Sequence, residues 1–253
     1  MDRRLVLACC VALVSLGCAH VPLSGADLDQ IKKPAILSRV APGAGPKAKV
    51  FSQDDSYAAT LAKSASKKTP AEFDAILADR LLNGYKNEKK GKAAIDIPSI
   101  TRFEISDTLR AQTLEDLPKE FPWTRTASPA EVSSVLESLL VEEVSAPEPD
   151  YSRLLPLGID WVLEIVVEEY GMRSEKGRAG VYLVGNARLF KIGGGEAYHR
   201  RFFSDDVRAG IEHLDPFLTA KDPTLFRDRM RQMLESIAAQ LAKDMVPEDR
   251  RPR

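Results

Sequence analysis

The run from Ile159 to Ser204 leaves this chain the least conformational freedom. Ile159, Trp161, Leu163, Ile165 and Val167 alternate with Asp160, Val162, Glu164, Val166 and Glu168. The first set is uniformly apolar and must face a core, whereas the second is mixed. After a loop over 171–179, Val181, Leu183, Gly185, Ala187 and Leu189 share one face of a second strand. Gly193-Gly194-Gly195 supplies a tight reversal, since glycine takes positive φ without steric cost, and Glu196 to Ser204 returns as a third strand. Three sequential strands with short turns make an antiparallel meander whose apolar face needs a covering layer.

Helices to supply that layer are announced by their caps. Thr69-Pro70-Ala71-Glu72 is a capping box with proline in the first turn. Phe73, Ile76, Leu77, Leu81 and Tyr85 follow at helical spacing, with Asp74, Asp79 and Arg80 facing elsewhere and Asn83-Gly84 as the stop. Ser128-Pro129-Ala130-Glu131 repeats the signature 59 residues later, ahead of a stripe of Val132, Val135, Leu136, Leu139, Leu140 and Val144. The sequences after the two boxes do not otherwise agree, so convergence on a good helix start explains them better than duplication. Asp222-Pro223 opens a long helix with Leu225, Met230, Leu234, Ile237, Leu241 and Met245 inward, ending at Pro247. Between these, 93–105 alternates as an edge or bent strand, with Ile95, Ile97, Phe103 and Ile105 on one side, and 106–126 reads as an irregular connection. The expected fold is α+β, a mainly antiparallel sheet with helices packed on it, occupying 51–246 as a single domain. Pro22, Gly25, Pro34 and the Ala41-Pro42-Gly43-Ala44-Gly45-Pro46 run make 18–50 read as a disordered tether, and 247–253 reads as a loose tail.

The N-terminus carries a different signal. Arg3 and Arg4 precede thirteen uncharged residues, Leu5 to Gly17, which end at Cys18. A positive end, a short apolar stretch and a small residue before the cut are the layout of a signal peptide, here 1–17. Ser15-Leu16-Gly17-Cys18 resembles the lipobox of bacterial lipoproteins. That resemblance implies that Cys18 is lipidated and becomes the first residue of the mature chain. It also implies, with Ala19 rather than aspartate next, an outer-membrane rather than an inner-membrane position. Cys9, Cys10 and Cys18 are the only cysteines, so the exported body has no thiol with which to form an internal disulfide.

The body offers little catalytic chemistry to the eye. Net charge is −1 with pI near 6.4, so no basic field points to nucleic acid, and no cofactor motif is present. His20 lies in the expected tether, leaving His199 and His213 near Ser204, Asp205, Asp206, Glu212 and Asp215. No H-E-x-x-H, histidine pair or G-x-S-x-G elbow accompanies them, so no catalytic or metal residue is assigned. Basic residues gather on the hairpin and last helix: Arg188, Lys191, Arg200 and Arg201, then Arg227, Arg229 and Arg231. Arg188, Arg200 and Arg201 are the candidates for an anion or partner contact; the competing reading is neutralisation by Glu164, Glu168, Asp228 and Glu235. The patterns over 160–165, 180–190 and 225–241 resemble envelope lipoproteins that serve as accessories of ABC transporters or activators of penicillin-binding proteins, and the N-terminal domain of the Tol-system periplasmic protein. The resemblance implies a binding or scaffolding component of an envelope complex, membrane-held through its lipid, with an envelope protein as partner. An envelope hydrolase using His199 or His213 with nearby acids is the alternative.

Overall fold

The computed structural model describes residues 20–64, 67–86, 96–97, 100–119, 121, 126–136, 149–211 and 213–251. Its centre is the expected meander. Strands β5 (Trp161–Glu175), β6 (Arg178–Lys191) and β7 (Glu196–Asp205) pair antiparallel in sequence order. The first connection is much shorter than the loop expected over 171–179. Lys176 and Gly177 alone make the turn, both at positive φ (54° and 74°), which matches the right-handed twist of the flanking strands. The second reversal occupies 192–195, with Gly193 at φ 70°.

The largest departure concerns the expected tether. Residues 20–50 belong to the folded body: α1 (Gly25–Gln30), β1 (Pro34–Val40) and β2 (Lys47–Lys49) precede a connection to α2 (Asp55–Lys63). β1 and β2 lie end to end along β5 and pair with it in parallel, β1 from Pro34↔Trp161 to Val40↔Val167 and β2 from Lys47↔Gly171 to Lys49↔Arg173. The sheet is therefore mixed, in the order β1/β2–β5–β6–β7. Prolines are tolerated here because this is the sheet edge and Pro34 is the first residue of its strand. Leu23, Leu28 and Ile31 are buried, which a solvated spacer would not do.

Helix α3 (Pro70–Asn83) forms with both halves of its capping box made, and Gly84 ends it at φ 73°. Asp74 faces inward, contrary to expectation: its carboxylate accepts the backbone N–H groups of Val50, Phe51 and Ser52, each at 2.9 Å. Tyr85-Lys86 (β3) and Asp96-Ile97 (β4) pair as a small separate ribbon. Of the strand expected over 93–105, Asp96-Ile97 is extended as β4, whereas from Arg102 onward the strand and most of the irregular segment expected after it are replaced by α4 (Arg102–Asp116). Thr101 and Glu104 form a third capping box, and Ile105, Leu109 and Thr113, buried at a spacing of four, outweigh the local alternation at Phe103 and Ile105. Helix α5 (Pro129–Val135) also forms on its box; Leu139, Leu140 and Val144 lie outside the described residues.

Two short helices, α6 (Asp206–Ala209) and α7 (Pro216–Thr219), lead to α8 (Thr224–Asp244). Asp222 accepts the Thr224 N–H at 3.1 Å, as a starting residue should. Phe226, Met230, Met233, Leu234, Ile237 and Leu241 face inward, while Leu225 is exposed, one position off the expected stripe. The main core lies between the inner face of the sheet and α4 with α8, where Glu104 accepts from Arg227 (2.6 Å) and Arg231 (3.0 Å). A second, smaller cluster sits on the opposite face of the sheet. There Ala35, Leu37 and Val162 meet Val132, Leu136, Tyr151, Leu154 and Ile159, so Ile159 belongs to this cluster and not to the main core. The tail is likewise tied down as far as Arg251, since Arg250 Nη2 donates to both Asp29 oxygens at 2.8 and 2.7 Å.

Candidate functional site

Helices cover one face of the sheet, so the chemistry of the chain gathers on the other. Up to Val167, even-numbered β5 residues point to that outer face. A β-bulge between Val167 and Glu169 reverses the parity, so Tyr170 and Met172 join the core while Glu169 and Arg173 turn outward. The smaller apolar cluster covers one end of this face. Beside it lies an open groove of about 600 Å³ formed by β1, β5, β6 and β7.

Glu164 is the floor of the groove and is fully buried. Arg39 Nε (2.7 Å) and the Tyr151 hydroxyl (2.5 Å) donate to its Oε1, and Arg188 Nε (2.7 Å) donates to Oε2. Burial pushes this carboxyl up, but the bonds from Tyr151, Arg39 and Arg188 outweigh it and hold it below the usual glutamate value. For Tyr151, burial first and the Glu164 charge second raise the phenol, so it stays a donor. The Arg188 guanidinium also stacks over Phe190, 4.9 Å from the ring centre. At the rim, Glu168 accepts from Asn186 (2.6 Å) and faces Arg201 at 3.7 Å, while His199 Nδ1 is 3.4 Å from Glu196.

Past the bulge a second ionic cluster continues along the same face. Lys47 (2.8 Å), Lys49 (2.7 Å) and the Tyr182 hydroxyl (2.8 Å) all donate to Glu169. Burial opposes its ionisation, yet these three donors hold its carboxyl down to about 2. Arg173 pairs with Asp205 at 2.5 Å.

Of the three arginines expected at a contact site, Arg188 and Arg201 share the groove, whereas Arg200 does not. Its side chain leaves by the other face of β7 and meets Asp244 of α8 at 2.8 Å, because adjacent strand residues point oppositely. The arginines of α8 serve other ends: Arg227 and Arg231 lock onto Glu104, and Arg229 forks onto the buried Asp206 at 2.9 and 2.6 Å. Each of these arginines thus has an acidic neighbour within 4 Å: Glu164 for Arg188, Asp244 for Arg200, Glu168 for Arg201, and Glu104 and Asp206, not Asp228 and Glu235, for those of α8. His199 and His213 are not brought together, since His199 lies in the first half of β7 and His213 follows α6 beyond its far end. Ser204 points to the face of β7 opposite His199, and no serine, threonine or cysteine lines the groove. Among the described residues no cluster of three or more histidine, cysteine or acidic side chains could hold a metal ion. Cys18 lies outside the described residues.

Arg39, Tyr151 and Asn186 were not anticipated as site residues. Arg39 sits in the segment read as tether, and Tyr151 follows Asp150 into a 3-10 turn that only the folded chain places beneath Glu164.

No family model matches the chain, and no curated protein matches it. Among solved structures, a hypothetical protein from Chlamydia trachomatis is similar over 83% of this chain and 98% of its own, at 13% identity and a TM-score of 0.25. At that score neither fold nor function carries over. Among the described residues no helix is long and apolar enough to cross a membrane.

Proposed function

We propose that this chain is a lipid-anchored protein of the bacterial envelope, acylated at Cys18 and facing the periplasm, that acts by binding a partner protein on the open face of its sheet. The observation that carries the binding role is the groove itself. It is open rather than enclosed, and its ionisable lining is already paired: Arg39 and Arg188 with Glu164, Arg201 with Glu168, His199 with Glu196. Three arginines against three glutamates present a neutral, alternating surface suited to a partner of mixed charge. Against a hydrolase working through a covalent intermediate stands the lining itself, which places no hydroxyl or thiol side chain beside His199 in the groove. The leader and its cysteine support the anchor, which several acyl chains would make effectively permanent.

The test places a photo-crosslinking amino acid at Asn186, within the groove, and at Ala75, exposed on α3, in intact cells. A discrete adduct from position 186 that is absent from position 75 is the expected result. No adduct at 186 with normally anchored protein overturns the binding role, and an N-terminal peptide lacking acyl chains by mass spectrometry overturns the anchor.

A further inference from the structure

We infer that the free edge of β7 is the side this protein turns to the bilayer, with Phe203, Arg201 and Arg208 seated among anionic lipid headgroups. The inference rests on acylation of Cys18 as proposed above.

The geometry begins at Val21. β7 is the outermost strand of the sheet, and among the described residues its free side meets one backbone partner: Val21 N–H donates to His199 C=O at 2.9 Å, and His199 N–H donates to Val21 C=O at 3.0 Å. Val21 thus runs antiparallel to β7. His20 is held as well, its ring edge-on to Tyr198 with centroids 6.3 Å apart and its Nε2 4.0 Å from Asp244. The chain is fixed to the sheet from residue 20 onward, so little leash is left. Only Ala19 and His20 lie between Cys18 and Val21, and the three steps from Cys18 to Val21, fully extended, reach at most about 11 Å. The pairing also sets the direction: antiparallel to β7, the step from Val21 back to His20 runs toward the Arg201 end of the strand. A diacylglyceryl group on the Cys18 sulfur would therefore bring the bilayer to this edge and not to a distant one.

The residues found there fit such a neighbour. Phe203 is a large apolar side chain left 48% exposed. The Arg208 guanidinium stacks 5.1 Å from the centre of its ring; the Arg208 and Arg201 side chains are 64% and 56% exposed, with Asp205 3.9 Å from Arg208 and Glu168 3.7 Å from Arg201. An aromatic ring at the headgroup–acyl boundary, with guanidinium groups at phosphate level, is the arrangement that membrane interfaces favour. The backbone agrees. Because His199 turns both its N–H and its C=O outward to Val21, Arg201 and Phe203, two and four residues on, turn theirs outward as well. Such an edge needs cover or solvation, and headgroups and interfacial water provide it.

The absence of cysteine from the body makes the test direct, since a thiol introduced into the acylated chain labels at one place. Phe203→Cys and Ala75→Cys would each carry an environment-sensitive fluorophore. Ala75 lies on α3, beside β2 at the opposite edge of the sheet. The full acylated protein is reconstituted into vesicles of phosphatidylglycerol and phosphatidylethanolamine containing a lipid-borne quencher. The expected result is several-fold stronger quenching at 203 than at 75, reduced several-fold by Arg201→Glu with Arg208→Glu. Equal quenching at both positions, or stronger quenching at 75, overturns the orientation while leaving the anchor intact. Finding no acyl chains on the purified N-terminal peptide overturns both.

Discussion

Glu164 concentrates the chemistry of the groove because burial and ionisation are reconciled there by three donors. Replacing it by alanine would leave the Arg39 and Arg188 side chains, 20% and 31% exposed, without their shared anion. Removing one partner of a buried ionic cluster costs about 3 kcal/mol or more, so Glu164→Ala is expected to lower the urea midpoint markedly. An unchanged midpoint would mean that the two arginines find water at no cost. Glu169 makes a separate prediction about acid. Its carboxyl is held down to about 2, against an ordinary value near 4.5. A depressed folded value means that the unfolded chain binds the proton first. Its stabilisation is therefore fully present above about pH 5 and is lost as pH falls from about 4.5 toward about 2. Glu169→Gln should flatten the fall in stability over that window, which denaturation midpoints taken at successive pH values would record.

Single elements form where a local signal and tertiary burial agree. The boxes at Thr69, Thr101 and Ser128 all start helices, because each satisfies backbone donors that nothing else reaches. The box at Thr101 was present in the sequence, yet the alternation from Ile95 through Ile105 obscured it. The spacing Ile105–Leu109–Thr113 carried the information that the two-residue pattern hid. At the β5–β6 turn the chain tolerates Lys176 at φ 54°, a conformation that asparagine adopts more readily ahead of glycine. Lys176→Asn is expected to raise stability by about 0.5 kcal/mol in equilibrium denaturation. A loss would show that the Lys176 side chain contributes more than its backbone costs. The bulge between Val167 and Glu169 left no local mark, yet by reversing the strand's parity it sends Glu169 outward to Lys47 and Lys49.

At the scale of the molecule, the N-terminal segment decides how the body is completed and how it is held. A spacer over 20–31 could be deleted without effect on the fold. The structure predicts otherwise, because Leu23, Leu28 and Ile31 are buried and Arg250 grips Asp29. Deleting 20–31 is expected to cost roughly 5 kcal/mol from lost apolar burial, and to appear as a clear drop in the thermal midpoint. An unchanged midpoint would restore the spacer. Local patterning alone determined the three-stranded meander, the glycine reversal at 193–195, the start of α3 and α5, and the long final helix, since each is encoded by residues close together in the chain. Tertiary structure alone decided that the proline-rich N-terminal stretch becomes two parallel edge strands, because its partners lie more than a hundred residues away and parallel pairing needs no matching turn. It likewise separated Arg200 from Arg188 and Arg201, and it assembled Arg39, Tyr151 and Glu164 into one site. Which face of a sheet is covered, and by what, is fixed only when distant elements meet.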